Sequence, residues 1–208
     1  MSGTHPSNNP LKLLLPYLTT WLSSTDSSHD VSHAVRVFHH SCNIIKETST
    51  LNESQVQIIH WAALLHDVLD HKYEHQISAA DLHSFVASHL NDQDATSILN
   101  IIHNVSYSKQ IKGLRQDLGS DLNLCLNVVS DADKIDALGS EGLKRCRDFS
   151  IARNPNSSEA DIDRLVVEHC KEKLVRLLPE CFIITDPGRL IATPLQTEIV
   201  EYIAANDT

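Results

Sequence analysis

Apolar residues recur at helical spacing along almost the whole chain, and no stretch alternates convincingly with a period of two. That regularity predicts an all-α fold, a single-domain helical bundle. Behind Asp30 as a cap come Val31, Ala34, Val35, Phe38, Cys42 and Ile45. Ser54 opens a second helix carrying Ile58, Ile59, Ala62, Ala63 and Leu65. Ser78 and Asp94 open two more, with Leu82, Phe85, Val86 and Leu90 on one and Ile98, Ile101, Ile102 and Val105 on the other. Residues 109–120 are polar, contain Gly113 and Gly119, and read as a loop. From Asp121 to Leu138 apolar residues fall on two faces, which predicts a helix at the centre of the fold. Ser158, with Asp161 three residues on, starts a long helix reaching Pro179, and Thr193, Pro194 and Gln196 mark the start of the last one. Residues 1–10 read as a disordered tip and 11–208 as one domain, since neither side of the loop at 153–157 could bury a core of its own.

Charge narrows the partners. Seventeen Lys and Arg against 27 Asp and Glu give a net charge of −10, a field that repels nucleic-acid polymers and anionic membranes. No apolar run reaches the 18 or more residues of a membrane span, and no secretory leader is recognised, so a cytoplasmic protein is expected. Five scattered cysteines, none in a CxxC pair, argue against thiolate zinc and against a disulfide framework.

Against that helical background several ionisable residues stand where the core should be apolar. His33 and Arg36 lie beside the first apolar stripe, His66-Asp67 follow Ala62-Ala63-Leu64-Leu65 directly, and Asp133 continues the line of Leu122, Leu126 and Val129. An unpaired carboxylate or imidazole costs several kcal/mol to bury, so such groups are paired or bind a metal. Two imidazoles and two carboxylates make a mixed N/O set suited to one Mn²⁺, Fe²⁺, Co²⁺, Ni²⁺ or Mg²⁺ per chain rather than to structural zinc. Each residue taken alone reads equally well as hydrogen-bonded scaffolding.

Order and spacing add a family resemblance. His29-Asp30, His33 and Arg36-Val37, then Leu64 through Lys72, then Asp131 through Gly139 resemble the H…HD…D signature of the HD-domain metal-dependent phosphohydrolases. Within it they are similar to a small single-domain branch with HDxxHxxRV, LLHDxxDxK and DADxLDAxG motifs. Residues 101–107 and Glu172-Lys173-Leu174 also look like that branch. One departure is Ala192-Thr193-Pro194-Leu195, where the branch keeps an Ala…Arg helix, so a shorter or re-angled C-terminal helix is expected.

The resemblance implies a metal site at His33, His66, Asp67 and Asp133 and hydrolysis of a phosphate ester or anhydride of a small molecule such as a nucleotide. Asp70, on the same face as His66 and Asp67 if the helix continues, can orient water or move a proton, or merely brace a ligand. Arg36, Lys72 and Lys134 are the cations nearest in sequence and can neutralise phosphate, Lys134 foremost; each can equally pair with a nearby Asp. Asp131, two residues from Asp133, points elsewhere, and Asp136 can face the pocket or make a structural bond. His71 and His103 are the extra ligands that a dinuclear-iron oxygenase on the same scaffold would need. A non-catalytic nucleotide sensor is the alternative from another class. Lys109, Arg145 and Arg147 can reach a polyphosphate tail or be ordinary surface charge. A homodimer is compatible with all of this.

Overall fold

The computed structural model describes residues 9–23, 30–70 and 77–207, and every regular element in them is helical. In chain order these are α1 (Pro10–Trp21), α2 (Val31–Lys46), α3 (Glu53–Leu65), α4 (Ala79–His89), α5 (Asp92–Asn104), the short α6 (Tyr107–Ile111), α7 (Ser120–Asp136), α8 (Gly139–Arg153), α9 (Glu159–Glu172), a 3₁₀ turn (Leu174–Arg176) and α10 (Asp186–Asn206). The all-α expectation holds. No described helix is long and apolar enough to cross a membrane. All five cysteines are free thiols.

Helix α7 is the axis, with α2 and α3 packed on it and on each other. Its last three turns are buried at every position but Asn127 and Asp133, carrying Val128, Val129, Ala132 and Ile135 together with Ser130, Asp131, Lys134 and Asp136. On α2 the buried line runs through Ala34, Val37, Phe38, Ser41 and Ile44, about one residue round from the predicted stripe. That rotation carries His33 into the core, where it is 1 % exposed. The apolar side chains join in one cluster, from Leu14 and Leu18 of α1 to Ile199 of α10.

Local capping sets several boundaries differently from the sequence reading. Asp30, Ser78 and Ser158 cap as predicted, each accepting the backbone N–H three residues on. The cap of α3 is Asn52, in a reciprocal box with Gln55, rather than Ser54, and the cap of α5 is Asn91 rather than Asp94. Of the predicted tip, Asn9 and Pro10 belong to α1, Asn9 as its cap; residues 1–8 lie outside the described residues. The loop predicted at 109–120 begins inside α6, and the helix predicted to reach Pro179 ends at Glu172.

The largest correction is α10. It starts at Asp186 behind Thr185 and runs for 21 residues with Pro194 inside it, so the C-terminal helix is long rather than short. A remote group sets that start. Asp131 of α7 accepts from Ile184 N (2.9 Å), Thr185 N (2.7 Å) and Thr185 Oγ1 (2.7 Å), while Thr185 Oγ1 accepts from Gly188 N at 3.1 Å. Asp131 therefore turns away from the other α7 carboxylates to anchor α10.

Candidate metal centre

His33 enters the site from α2, His66 as the residue closing α3, and Asp133 from α7. Their Nε2, Nε2 and Oδ1 atoms lie within 4.8 Å of one another, a group that could hold a metal ion. The two Nε2 atoms are 3.2 Å apart. Asp133 Oδ1 is 3.4 Å from His33 and 3.8 Å from His66, and Asp67 Oδ2 is 3.4 Å and 3.3 Å from the same two nitrogens. All four predicted ligands are thus brought together.

The hydrogen bonds outside this cluster decide what it can accept. His66 Nδ1 lies 2.9 Å from Ala63 O, a carbonyl that only accepts, so Nδ1 carries the proton. His33 Nδ1 likewise faces a carboxylate oxygen, Asp136 Oδ2, at 2.8 Å. In the neutral rings both Nε2 lone pairs then point inward, and two acceptors at 3.2 Å need a proton or a metal ion between them. Asp67 Oδ2 is buried and takes no hydrogen bond. A buried, unbonded carboxylate oxygen beside two inward lone pairs fits a divalent ion. Titration points the same way. Burial opposes charge on His33, but the carboxylates of Asp133, Asp136 and Asp67 around it outweigh that and lift the ring to about 10. Against the same burial, the two imidazoles hold Asp67 and Asp133 below the usual carboxylate range.

Asp136 organises the far side of the site. Besides His33 it accepts from Arg36 Nε (2.8 Å) and from Arg145 NH1 (2.6 Å). Arg36, predicted for substrate, is directed at Asp136 and, at 3.4 Å, at Glu141. Arg145 is likewise committed to Asp136, and Arg147 pairs with Asp163. The Arg145–Asp136 pair has no local sequence signal, since the two residues meet only across the α7–α8 corner.

Asp70 reaches its place differently from the prediction. Helix α3 ends at Leu65, residues 66–69 form a turn, and the bond from Asp70 N to Asp67 O (3.0 Å) positions the residue instead of helix register. Lys134 is buried, and its Nζ donates to Ser130 O (3.1 Å) and Ser130 Oγ. Burial and the nearby Arg115 guanidinium lower its pKa to about 7. His103 is exposed and lies outside the four-residue cluster. Lys109 donates to His103 O. The predicted contributions of His29, His71 and Lys72 fall outside the described residues.

The HD domain family profile matches residues 30–138, a span that begins at the cap of α2 and ends just past α7. The chain belongs to the HD domain family. This HD domain is 25 % identical over 193 residues to YpgQ of Bacillus subtilis, covering 89 % of this chain and 88 % of that protein. Among solved structures, a Lactobacillus plantarum protein superposes with a TM-score of 0.73 at 25 % identity, over 97 % of this chain and 96 % of that one. YpgQ in complex with ADP gives 0.70 at 24 % identity, over 93 % and 91 %. An HD-superfamily hydrolase of Bacillus thuringiensis gives 0.68 at 22 %, over 94 % of both chains. At these lower identities the likeness is one of fold.

Proposed function

We propose that this HD domain is a divalent-metal-dependent phosphohydrolase acting on a small phosphorylated molecule, with a nucleotide as the substrate class. The observation that carries the reading is the pair of inward Nε2 atoms at 3.2 Å, each fixed by a bond at its Nδ1, beside the unbonded Asp67 Oδ2. His33, His66, Asp67 and Asp133 would hold the ion, which when bound supplies a Lewis acid for a phosphoryl oxygen and an acidified water. Asp136 keeps His33 in the tautomer that leaves Nε2 free, and His33, His40 and Arg36 keep Asp136 ionised. Asp70 handles the proton of the attacking water, and Lys134 and Lys72 take phosphate charge. The nucleotide class draws on the ADP seen with YpgQ.

The test is metal analysis of the purified protein followed by a panel of nucleotides and phosphomonoesters with Mn²⁺ or Co²⁺. Release of phosphate or pyrophosphate that disappears in the His66→Ala, Asp67→Ala double variant is the expected result. No release from any substrate with metal bound, or release that survives the double variant, overturns the reading.

A further inference from the structure

Helix α7 turns about 100° per residue, so its polar side chains can be ordered around the axis. Asp136 faces His33, Asp133 lies about 60° further round, Ser130 and Lys134 follow on the next strip, and Asp131 closes the arc against α10. The strip between Asp133 and Asp131 holds an arrangement that the metal cluster does not use. Arg115, in the segment after α6, donates through NH2 to Ser130 Oγ and to Val105 O (3.2 Å), while Lys134 Nζ donates to the same Ser130 hydroxyl. The next residue braces Arg115, since Gln116 N donates to the buried Asn104 Oδ1 at 2.9 Å.

Two cations therefore converge on one neutral hydroxyl. The two carboxylates whose charge they feel are committed elsewhere, Asp131 to Ile184 and Thr185 and Asp133 to the imidazoles. Arg115 Nε is buried and bonded to nothing. In a chain with 27 acidic residues, a like-charge pair left without a described carboxylate partner lacks a counter-ion that the fold could have supplied. A guanidinium with a spare donor beside an ammonium matches the oxygens of a phosphate. Their strip neighbours that of Asp133 on one helix face, at the about 5–6 Å separation of adjacent side chains.

We propose that Arg115 and Lys134, clamped on Ser130, seat a second phosphate beside the one held at the metal centre, so that the site selects phosphoanhydrides over monophosphates. The inference rests on the phosphohydrolase reading for the placement of the first phosphate. It assigns Arg115 as the specificity-determining residue, with Ser130 positioning both cations.

The test is direct binding to the Mn²⁺-loaded protein by calorimetry, with no turnover measured. Inorganic tripolyphosphate should bind at least about tenfold tighter than orthophosphate, and α,β-methylene-ADP about tenfold tighter than AMP, the worth of one charge-assisted contact. Arg115→Met should bring the second ratio to within about twofold, and Arg115→Lys should keep part of it. Equal affinities in the wild-type protein overturn the proposal, and that comparison stands even if Arg115→Met does not fold. So does an Arg115→Met variant that weakens AMP and the ADP analogue by the same factor. Preference in binding without hydrolysis of any substrate would keep this inference and overturn the hydrolase reading. Hydrolysis without preference would do the reverse.

Discussion

At the scale of single residues, the candidate metal centre turns on a carboxylate outside its four candidate ligands. Asp136 binds His33, Arg36 and Arg145 at once, and against its own burial His33, His40 and Arg36 hold its carboxyl well below the usual range. Asp136→Asn removes the charge but keeps the shape, and the His33 tautomer loses its strongest determinant. Metal affinity should fall about 10–100-fold, read by Mn²⁺ titration. Affinity unchanged within about twofold would show that Asp136 only supports α2. A second residue sets the acid limb of stability. Burial, helped by Lys173, lowers His169 to about 4 from an ordinary 6.5. The unfolded chain then binds the proton more readily, so this contribution is present above pH 6.5 and is lost as pH falls toward 4. In metal-free protein His33, raised from 6.5 to about 10, contributes the opposite way, present below pH 6.5 and lost as pH rises toward 10, so the His169 slope stands clear only well below pH 6.5. Denaturant unfolding between about pH 6 and pH 4.5 should show the decline, and His169→Gln should flatten it.

At the scale of elements, the sequence was most legible where local chemistry decides. Caps one to three residues from their helices, as at Asp30, Ser78 and Ser158, were readable, and so was the inward placing of His33 and Asp133 on their helices and of His66-Asp67 at the end of α3. What escaped was set from a distance. Pro194 signals a helix start, and in α10 it sits in the interior at a cost of about 3 kcal/mol, which the burial of Ala192, Gln196 and Ile199 and the Asp131 anchor offset. Pro16 hides α1 in the same way. Arg115 lies in a polar stretch with no periodicity, and its meeting with Ser130 follows only from the path of the segment after α6. Two glycines test these packed corners. A Cβ on Gly142 would stand 2.1 Å from Ala137 O, a backbone atom at the α7–α8 corner that cannot swing aside. One on Gly188 would meet Thr185 Oγ1 at 2.7 Å and Asp131 Oδ2 at 2.9 Å, side-chain atoms that can move at the expense of the α10 anchor. Gly142→Ala should cost about 3 kcal/mol or more and Gly188→Ala about 1–2 kcal/mol in urea unfolding. The reverse order would mean that the Asp131–Thr185 anchor, rather than the corner, is the stiffer element.

For the whole molecule, the four candidate ligands lie far apart in sequence, on α2, just after α3 and on α7, and those helices make the centre of the bundle. An ion there would tie the three together in the native state only, because the unfolded chain has no such site. It would also neutralise carboxylates crowded within a molecule of net charge −10. At a free Mn²⁺ concentration about 100 times the dissociation constant, binding should add about 2.7 kcal/mol. At about 2–4 °C per kcal/mol for a chain of this length, melting should rise by roughly 5–11 °C over the chelator-treated protein. The His66→Ala, Asp67→Ala variant should lose the whole rise, because it keeps the fold's other contacts but only two of the four candidate ligands. Sodium chloride at matched ionic strength separates the two contributions. A rise of equal size in salt alone would assign the effect to screening of the −10 charge rather than to an ion held by His33, His66, Asp67 and Asp133.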